Sequence, residues 1–141
     1  MEHPPDFLYW YRAEIVSVYD GDTVYANIDL GCGIWNKGAD GRGEGLRLFG
    51  IDAPELRGDE KEKGYAARDF LCELLTGKPV DQLEKDGRRL VVNADVRINT
   101  IKDEGGKYGR LLAKIYVERD GEWSSVADAL VAAGHAVRKD Y

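Results

Sequence analysis

Four carboxylates and two arginines in this chain fall where they could do chemistry together. Asp20 and Asp22 flank Gly21, and Asp52 and Glu55 flank Pro54. Both stretches read as tight connections at strand ends, where side chains are rigidly held yet open to solvent. If the two ends converge, Asp22 and Asp52 could share a hard cation, with backbone oxygens and water completing its shell. Calcium accepts such irregular oxygen coordination, whereas magnesium demands tighter octahedral geometry. Each residue also has an ordinary use, because Asp-Gly-Asp is frequent in turns whose side chains satisfy local backbone donors. Asp20 in particular reads as a turn residue rather than a direct ligand.

Arg47 lies on the strand that delivers Asp52 and Glu55, and Arg110 follows Lys107-Tyr108-Gly109. A guanidinium offers a fixed donor fork suited to phosphate oxygens. A cation and two arginines could stabilise the charge that develops on a phosphoryl group under attack. Glu55 would then face a water molecule rather than the metal. The alternative is that Arg47 and Arg110 neutralise neighbouring carboxylates and nothing more. Zinc is not supported: His3 and His135 lie at opposite ends, and Cys32 and Cys72, the only cysteines, are far apart in sequence and read as free thiols.

The elements that must position these residues follow from periodicity. Trp10–Tyr19 and Thr23–Leu30 alternate as the arms of a hairpin, with Tyr11, Ala13, Ile15 and Val18 inward on the first and Val24, Ala26, Ile28 and Leu30 inward on the second. Residues 31–45 hold six of the 17 glycines and predict a long glycine-rich loop or a mobile hairpin extension. Leu46–Ile51 predicts a strand stopped by Pro54. Glu60–Leu75 has helical spacing, with Ala67, Phe70, Leu71, Leu74 and Leu75 as its apolar stripe, and Gly77 and Pro79 end it. Strands are expected over 89–101 and Leu111–Glu118, separated by a polar turn. A second helix is expected to be capped by Ser124 or Ser125 and to end at Gly134. The order β-β-β-α-β-β-α predicts a mainly β, α+β domain. An OB-like five-stranded barrel with packed helices fits it, with an SH3-like barrel or an open sheet as alternatives.

The chain has 141 residues, 20 Lys+Arg against 26 Asp+Glu, and a formal net charge of -6. The length suits one domain: a flexible arm over 1–9 and a folded unit over 10–141 carrying the insertion at 31–45. Net acidity argues against a protein that coats DNA, which would carry a basic field. No apolar run reaches a membrane span, so no membrane partner is expected. The first fifteen residues show no signal-peptide pattern, and a cytoplasmic or otherwise intracellular protein is expected.

Several blocks together resemble the staphylococcal nuclease (thermonuclease-like) family. They are Val18-Tyr19-Asp20-Gly21-Asp22-Thr23-Val24, Arg47 through Glu55, Lys107 through Ala113, and Val126 to Gly134. The resemblance implies an OB-like barrel and calcium-dependent, sugar-nonspecific endonuclease activity on DNA and/or RNA, with 3'-phosphate and 5'-hydroxyl products. It implies one Ca2+ per active site, held by Asp22, Asp52 and the main-chain carbonyl of Ala53. Arg47 and Arg110 match the phosphate-binding arginines, and Glu55 matches the residue that activates or positions water. Lys107 and Tyr108 match positions near the nucleotide phosphate. The contrasting expectation is a catalytically inactive OB-fold module that binds nucleic acid or protein.

Three departures from the family pattern stand out. Ala53 replaces a threonine, which matters little where only the backbone oxygen is needed. Residues 31–45 are longer than in the prototype and read first as an ordinary surface loop, with nucleic-acid contact through Trp35, or a protein partner or second copy through Ile34 and Trp35, as alternatives. The sequence stops at Tyr141, before the prototype's terminal helix, so Phe7, Tyr9 and Trp10 are expected to cover core left open there.

Overall fold

A computed structural model of the chain describes residues 8–102 and 111–139. The β-branched and aromatic run at the start forms β1 (Trp10–Asp20), which turns through Gly21 into β2 (Thr23–Gly31). The chain continues through β3 (Ile34–Asn36), β4 (Glu44–Leu48) and β5 (Ile51–Asp52), then α1 (Lys61–Thr76). Next come β6 (Lys85–Asp86), β7 (Arg89–Lys102), β8 (Leu111–Arg119), β9 (Glu122–Ser125), α2 (Val126–Ala132) and β10 (Val137–Arg138). Short 3-10 turns at Gly58–Glu60 and Val80–Gln82 bracket α1.

The fold is mixed α/β, with two α-helices among the described residues. β1 pairs with β2, β2 with β4, β4 with β8, β8 with β7, and β7 with β1, so the hydrogen bonding of these five strands returns on itself. All of these pairings are antiparallel except β4–β8. A register shift between Ile15 and Ser17 occurs against both neighbours of β1. Such a bulge bends its strand and raises the local twist, which helps a sheet curl. The other five strands are short: β3, β6 and β9 extend β2, β7 and β8, while β5 and β10 pair only with each other.

Alternation holds where the five strands pair. Ala13, Ile15 and Val18 of β1, Val24, Ala26 and Ile28 of β2, and Val96 and Ile98 of β7 are buried in one core with Leu46, Leu48, Ala113 and Ile115. α1 covers β1 and β7 and touches α2. It buries Ala67, Leu71, Cys72 and Leu75, while Phe70 and Leu74 are half-buried against the same core. Gly77, with φ 70°, closes α1 by donating its N–H to the Glu73 carbonyl. Ser125 Oγ accepts the Asp128 N–H at 3.2 Å, so of the two serines Ser125 caps α2.

Several boundaries differ from expectation for physical reasons. Leu30 is 48% exposed rather than inward, because the end of β2 runs beyond β4 and pairs only with β3. Part of 31–45 is a hairpin rather than loop: Gly31, Cys32 and Gly33 all take positive φ and turn β2 into β3. The strand expected over Leu46–Ile51 is broken at Phe49-Gly50. Gly50 has φ 83° there, and the chain leaves the main sheet to pair with β10. Tyr9 and Trp10 are not core residues: they are 53% and 42% exposed, and Trp10 packs on Tyr116 with ring centroids 5.3 Å apart. Phe7 lies outside the described residues.

Cys32 is exposed, Cys72 is buried, and both are free. Burial pushes the Cys72 thiol up to about 12. Since the thiolate is the reactive form, iodoacetamide at pH 8 should modify Cys32 in the native protein and Cys72 only after denaturant is added. Equal native rates, read by mass spectrometry, would contradict the packing of α1.

Candidate functional site

The β1–β2 turn holds Asp22 from several directions. Its backbone N–H donates to Asp20 Oδ1 at 3.1 Å, and Thr23 Oγ1 donates to Asp22 Oδ1 at 3.3 Å. Its carbonyl accepts the Leu48 N–H at 2.9 Å. Its other carboxylate oxygen, Oδ2, accepts the backbone N–H of Ala53 at 3.0 Å. Asp20 therefore does the work of a turn residue. Gly21 permits the approach: a Cβ there would lie 2.8 Å from Ala67 Cβ and 2.9 Å from Ala53 Cβ. The turn is thus packed between α1 and the chain that follows β5.

Arg47 sits in the middle of the sheet, opposite Thr23 of β2 and Leu112 of β8. Its Nη2 lies 2.5 Å from Asp52 Oδ1 and 3.6 Å from Asp22 Oδ2. The break at Gly50 places Asp52 within reach, and pairing with Val137 of β10 fixes its backbone. Lys139 N–H also donates to the Gly50 carbonyl at 2.9 Å, tying the C-terminal segment to that break. Asp22, Asp52, Ala53 and Arg47 are therefore brought together. The neutralising contact weighed for Arg47 is also real, because one guanidinium nitrogen faces both carboxylates.

Carboxylate charge is in surplus around this point. Burial, and then the neighbouring charge of Asp22, push Asp20 up to about 7. Asp20 thus resists ionising beside Asp22 on the same turn. Positive charge added beside Asp22 and Asp52 would relieve that repulsion. The donors brought together, two carboxylates, are hard and suit calcium rather than a thiolate- or imidazole-loving metal. Among the described residues no three His, Cys, Asp or Glu side chains form a metal cluster. The donor chemistry fits calcium, with most of its shell left to backbone and water.

Glu55 stands apart from this cluster. Its side chain is 70% exposed, and its ion-pair partner is Arg57 at 3.6 Å rather than Arg47. A pair that open to water contributes little. Glu55 and Asp20 instead line a cleft of about 770 Å³ bounded by the 55–58 segment, α1 and residues 85–90. Arg110, Lys107 and Tyr108 lie outside the described residues.

Sequence reasoning did not single out Thr23, which is 8% exposed and braces Asp22, or Gly64. A Cβ at Gly64 would lie 2.1 Å from the Glu55 carbonyl oxygen and 2.6 Å from its carbon. α1 thus rests directly on the main chain of Glu55. A glycine inside an otherwise regular helical stripe was the available signal.

Gly64→Ala tests that contact. Alanine gains about 1 kcal/mol of helix propensity over glycine, but overpacking costs about 1–3 kcal/mol, and here the obstructing atoms are backbone. Urea unfolding should show net destabilisation, and Glu55 should be displaced. Lys63→Ala, on the exposed side of α1, should leave stability within about 0.5 kcal/mol. A stabilised Gly64→Ala protein would mean that α1 does not seat the Glu55 segment.

Residues 45–141 match the family described as Staphylococcal nuclease homologue. A search of curated proteins gives no match. The matched span contains Arg47, Asp52, Ala53 and Glu55 but begins after Asp22, which reaches the same point through Ala53 N and Arg47. It covers well over half of the sequence, and the chain belongs to the staphylococcal nuclease homologue family.

Proposed function

We propose that the protein is a calcium-dependent nuclease that hydrolyses phosphodiester bonds in DNA and/or RNA without selecting the sugar. Family membership points to nuclease-type hydrolytic activity. The observation that supports the finer reading is that Arg47 Nη2 faces both Asp22 and Asp52, while the Ala53 N–H donates to the same Asp22 carboxylate. Such a cluster combines acidic oxygens with a guanidinium fork, the two partners that a bound phosphate diester needs.

In this reading Asp22, Asp52 and the Ala53 carbonyl hold calcium, which supplies positive charge for a phosphate oxygen. Arg47 and Arg110 bind the remaining phosphate oxygens and stabilise the charge that builds up as water attacks phosphorus. Glu55 orients that water and takes its proton. The new P–O bond forms in line with the breaking bond to the 5'-oxygen. That oxygen departs and gains a proton, leaving a 5'-hydroxyl and a 3'-phosphate. Substrate binding would exchange the Arg47–Asp52 ion pair for an Arg47–phosphate pair, so the neutralising contact and the catalytic role belong to one residue. The five-strand circuit is read as an OB-like barrel that holds the two acidic connections at one end. No membrane partner is proposed, and among the described residues no helix is long and apolar enough to cross a membrane. Exposed Leu30, Ile34 and Trp35 leave contact with a protein partner or a second copy as a secondary proposal, as is a cytoplasmic or otherwise intracellular location.

Cleavage of labelled single-stranded DNA, duplex DNA and RNA, compared in calcium, magnesium and chelator, tests this directly. Activity should require added calcium, and the products should carry 3'-phosphate. Glu55→Gln should slow turnover by about 10²–10⁴-fold. Arg47→Lys should slow it by about 10–10³-fold, because an ammonium keeps the charge without the fork. Full activity after rigorous chelation, or parental rates in both variants, would overturn the mechanism. Binding without any product in every metal would favour the inactive module instead.

A further inference from the structure

The cleft beside Glu55 reverses the charge of the molecule. The chain carries -6 overall, yet this cleft is lined by Arg57, Lys61, Arg68, Lys85, Arg88 and Arg89 against only Asp20 and Glu55. The cations come from three separate segments: the connection after Glu55, one face of α1, and the residues around the β6–β7 turn. Lys61, Tyr65 and Arg68 are spaced to share a helix face, and all three line the cleft. Among the described residues Lys61, Lys85 and Arg88 are exposed and enter no salt bridge. Arg89 lies over the Tyr25 ring at 3.4 Å, and its Nη1 is buried without a hydrogen-bond partner. Arg57 and Arg68 are paired with Glu55 and Asp69, so the remaining cations gathered in one walled cleft leave a local positive charge that an anionic occupant would match.

We propose that this cleft binds the sugar–phosphate backbone of a single-stranded polynucleotide, as an extended subsite next to the active centre. The proposal rests on the phosphodiesterase reading for its placement, since Glu55 forms part of the cleft wall. A volume of about 770 Å³ exceeds what one phosphate needs, and cations spread over three segments suit a polymer better than a compact anion. Tyr19 and Tyr65 also line the cleft. Tyr65 is 36% exposed with the Arg68 guanidinium 4.6 Å from its ring centroid, a flat surface for an unpaired base. A positive groove with interleaved aromatic faces is the usual recipe for holding single strands without sequence preference. A duplex has its bases stacked inside and could not use the tyrosines.

The test uses the variant Lys61→Ala/Lys85→Ala/Arg88→Ala, which breaks no salt bridge among the described residues, with thermal unfolding as the check on folding. Fluorescence anisotropy of a labelled oligothymidylate of about 12 nucleotides, within the ~4–16 that an OB-fold spans, is followed from about 50 to 200 mM salt in chelator. The variant should bind about tenfold more weakly, and its log–log salt slope should be shallower by about 2, as expected for three lost single-strand phosphate contacts. Cleavage of a minimal dinucleotide diester in calcium should match the parent, because its single phosphate is held by Arg47 and Arg110 and does not extend to Lys61, Lys85 and Arg88. Parental oligonucleotide affinity and slope in the variant would overturn the proposal. So would an oligoglutamate of equal charge that binds the parent as tightly as the oligonucleotide and is lost in the variant, which would identify an acidic protein partner. A parent that cleaves neither substrate would defeat the hydrolytic reading, and the anisotropy result would still decide the cleft.

Discussion

The fold around the candidate site depends on one electrostatic meeting. Asp22 and Asp52 sit on different strand connections, and Arg47 Nη2 faces both of them. Asp22 is nearly buried, with its side chain 10% exposed, whereas that of Asp52 is 51% exposed. Carboxylates drawn together out of water need a counter-charge or a proton. The structure uses both remedies: Arg47 supplies the counter-charge, and Asp20 is pushed towards holding its proton near neutral pH. In the proposed mechanism the same arginine that pairs with the cluster turns to a phosphate.

Backbone geometry makes this meeting possible. The Asp20–Thr23 turn can approach Ala53 and Ala67 only because residue 21 lacks a Cβ, and α1 can rest on Glu55 only because residue 64 lacks one. Gly50 has the third essential role. With positive φ it takes the chain out of the main sheet, so that Asp52 lands on β5 beside β10 and not further along β4. Strand continuation through Phe49 and Gly50 would have carried Asp52 away from Arg47. Rigid elements thus aim the carboxylates, and glycines set how closely those elements approach.

Charge is distributed with the same economy. The chain is acidic overall, while basic side chains gather in the cleft beside Glu55. Exposed apolar residues collect elsewhere, at Leu30, Ile34 and Trp35 on the β2–β3 hairpin. The two surfaces have different chemistry and are carried by different segments, so a contact made by one need not interfere with the other.

Local pattern was enough to identify most elements. Alternation in residues 10–28, helical spacing in 61–76 and the Ser125 cap all depend on near neighbours in sequence, and the structure keeps them. Asp22, Arg47, Asp52 and Glu55 could be chosen as candidates for a related reason, since each lies in a short block of recognisable spacing. What the sequence could not decide depends on long-range packing. Leu30 is exposed because of which strand runs beside it, Glu55 faces Arg57 and not Arg47, and Lys61 joins Lys85 and Arg88 only once α1 has folded across β7. Composition and spacing determined which chemical groups the protein has and the local geometry of each. Tertiary structure decided which of them meet, because close approach and shared electrostatic fields arise only when separate segments are packed against one another.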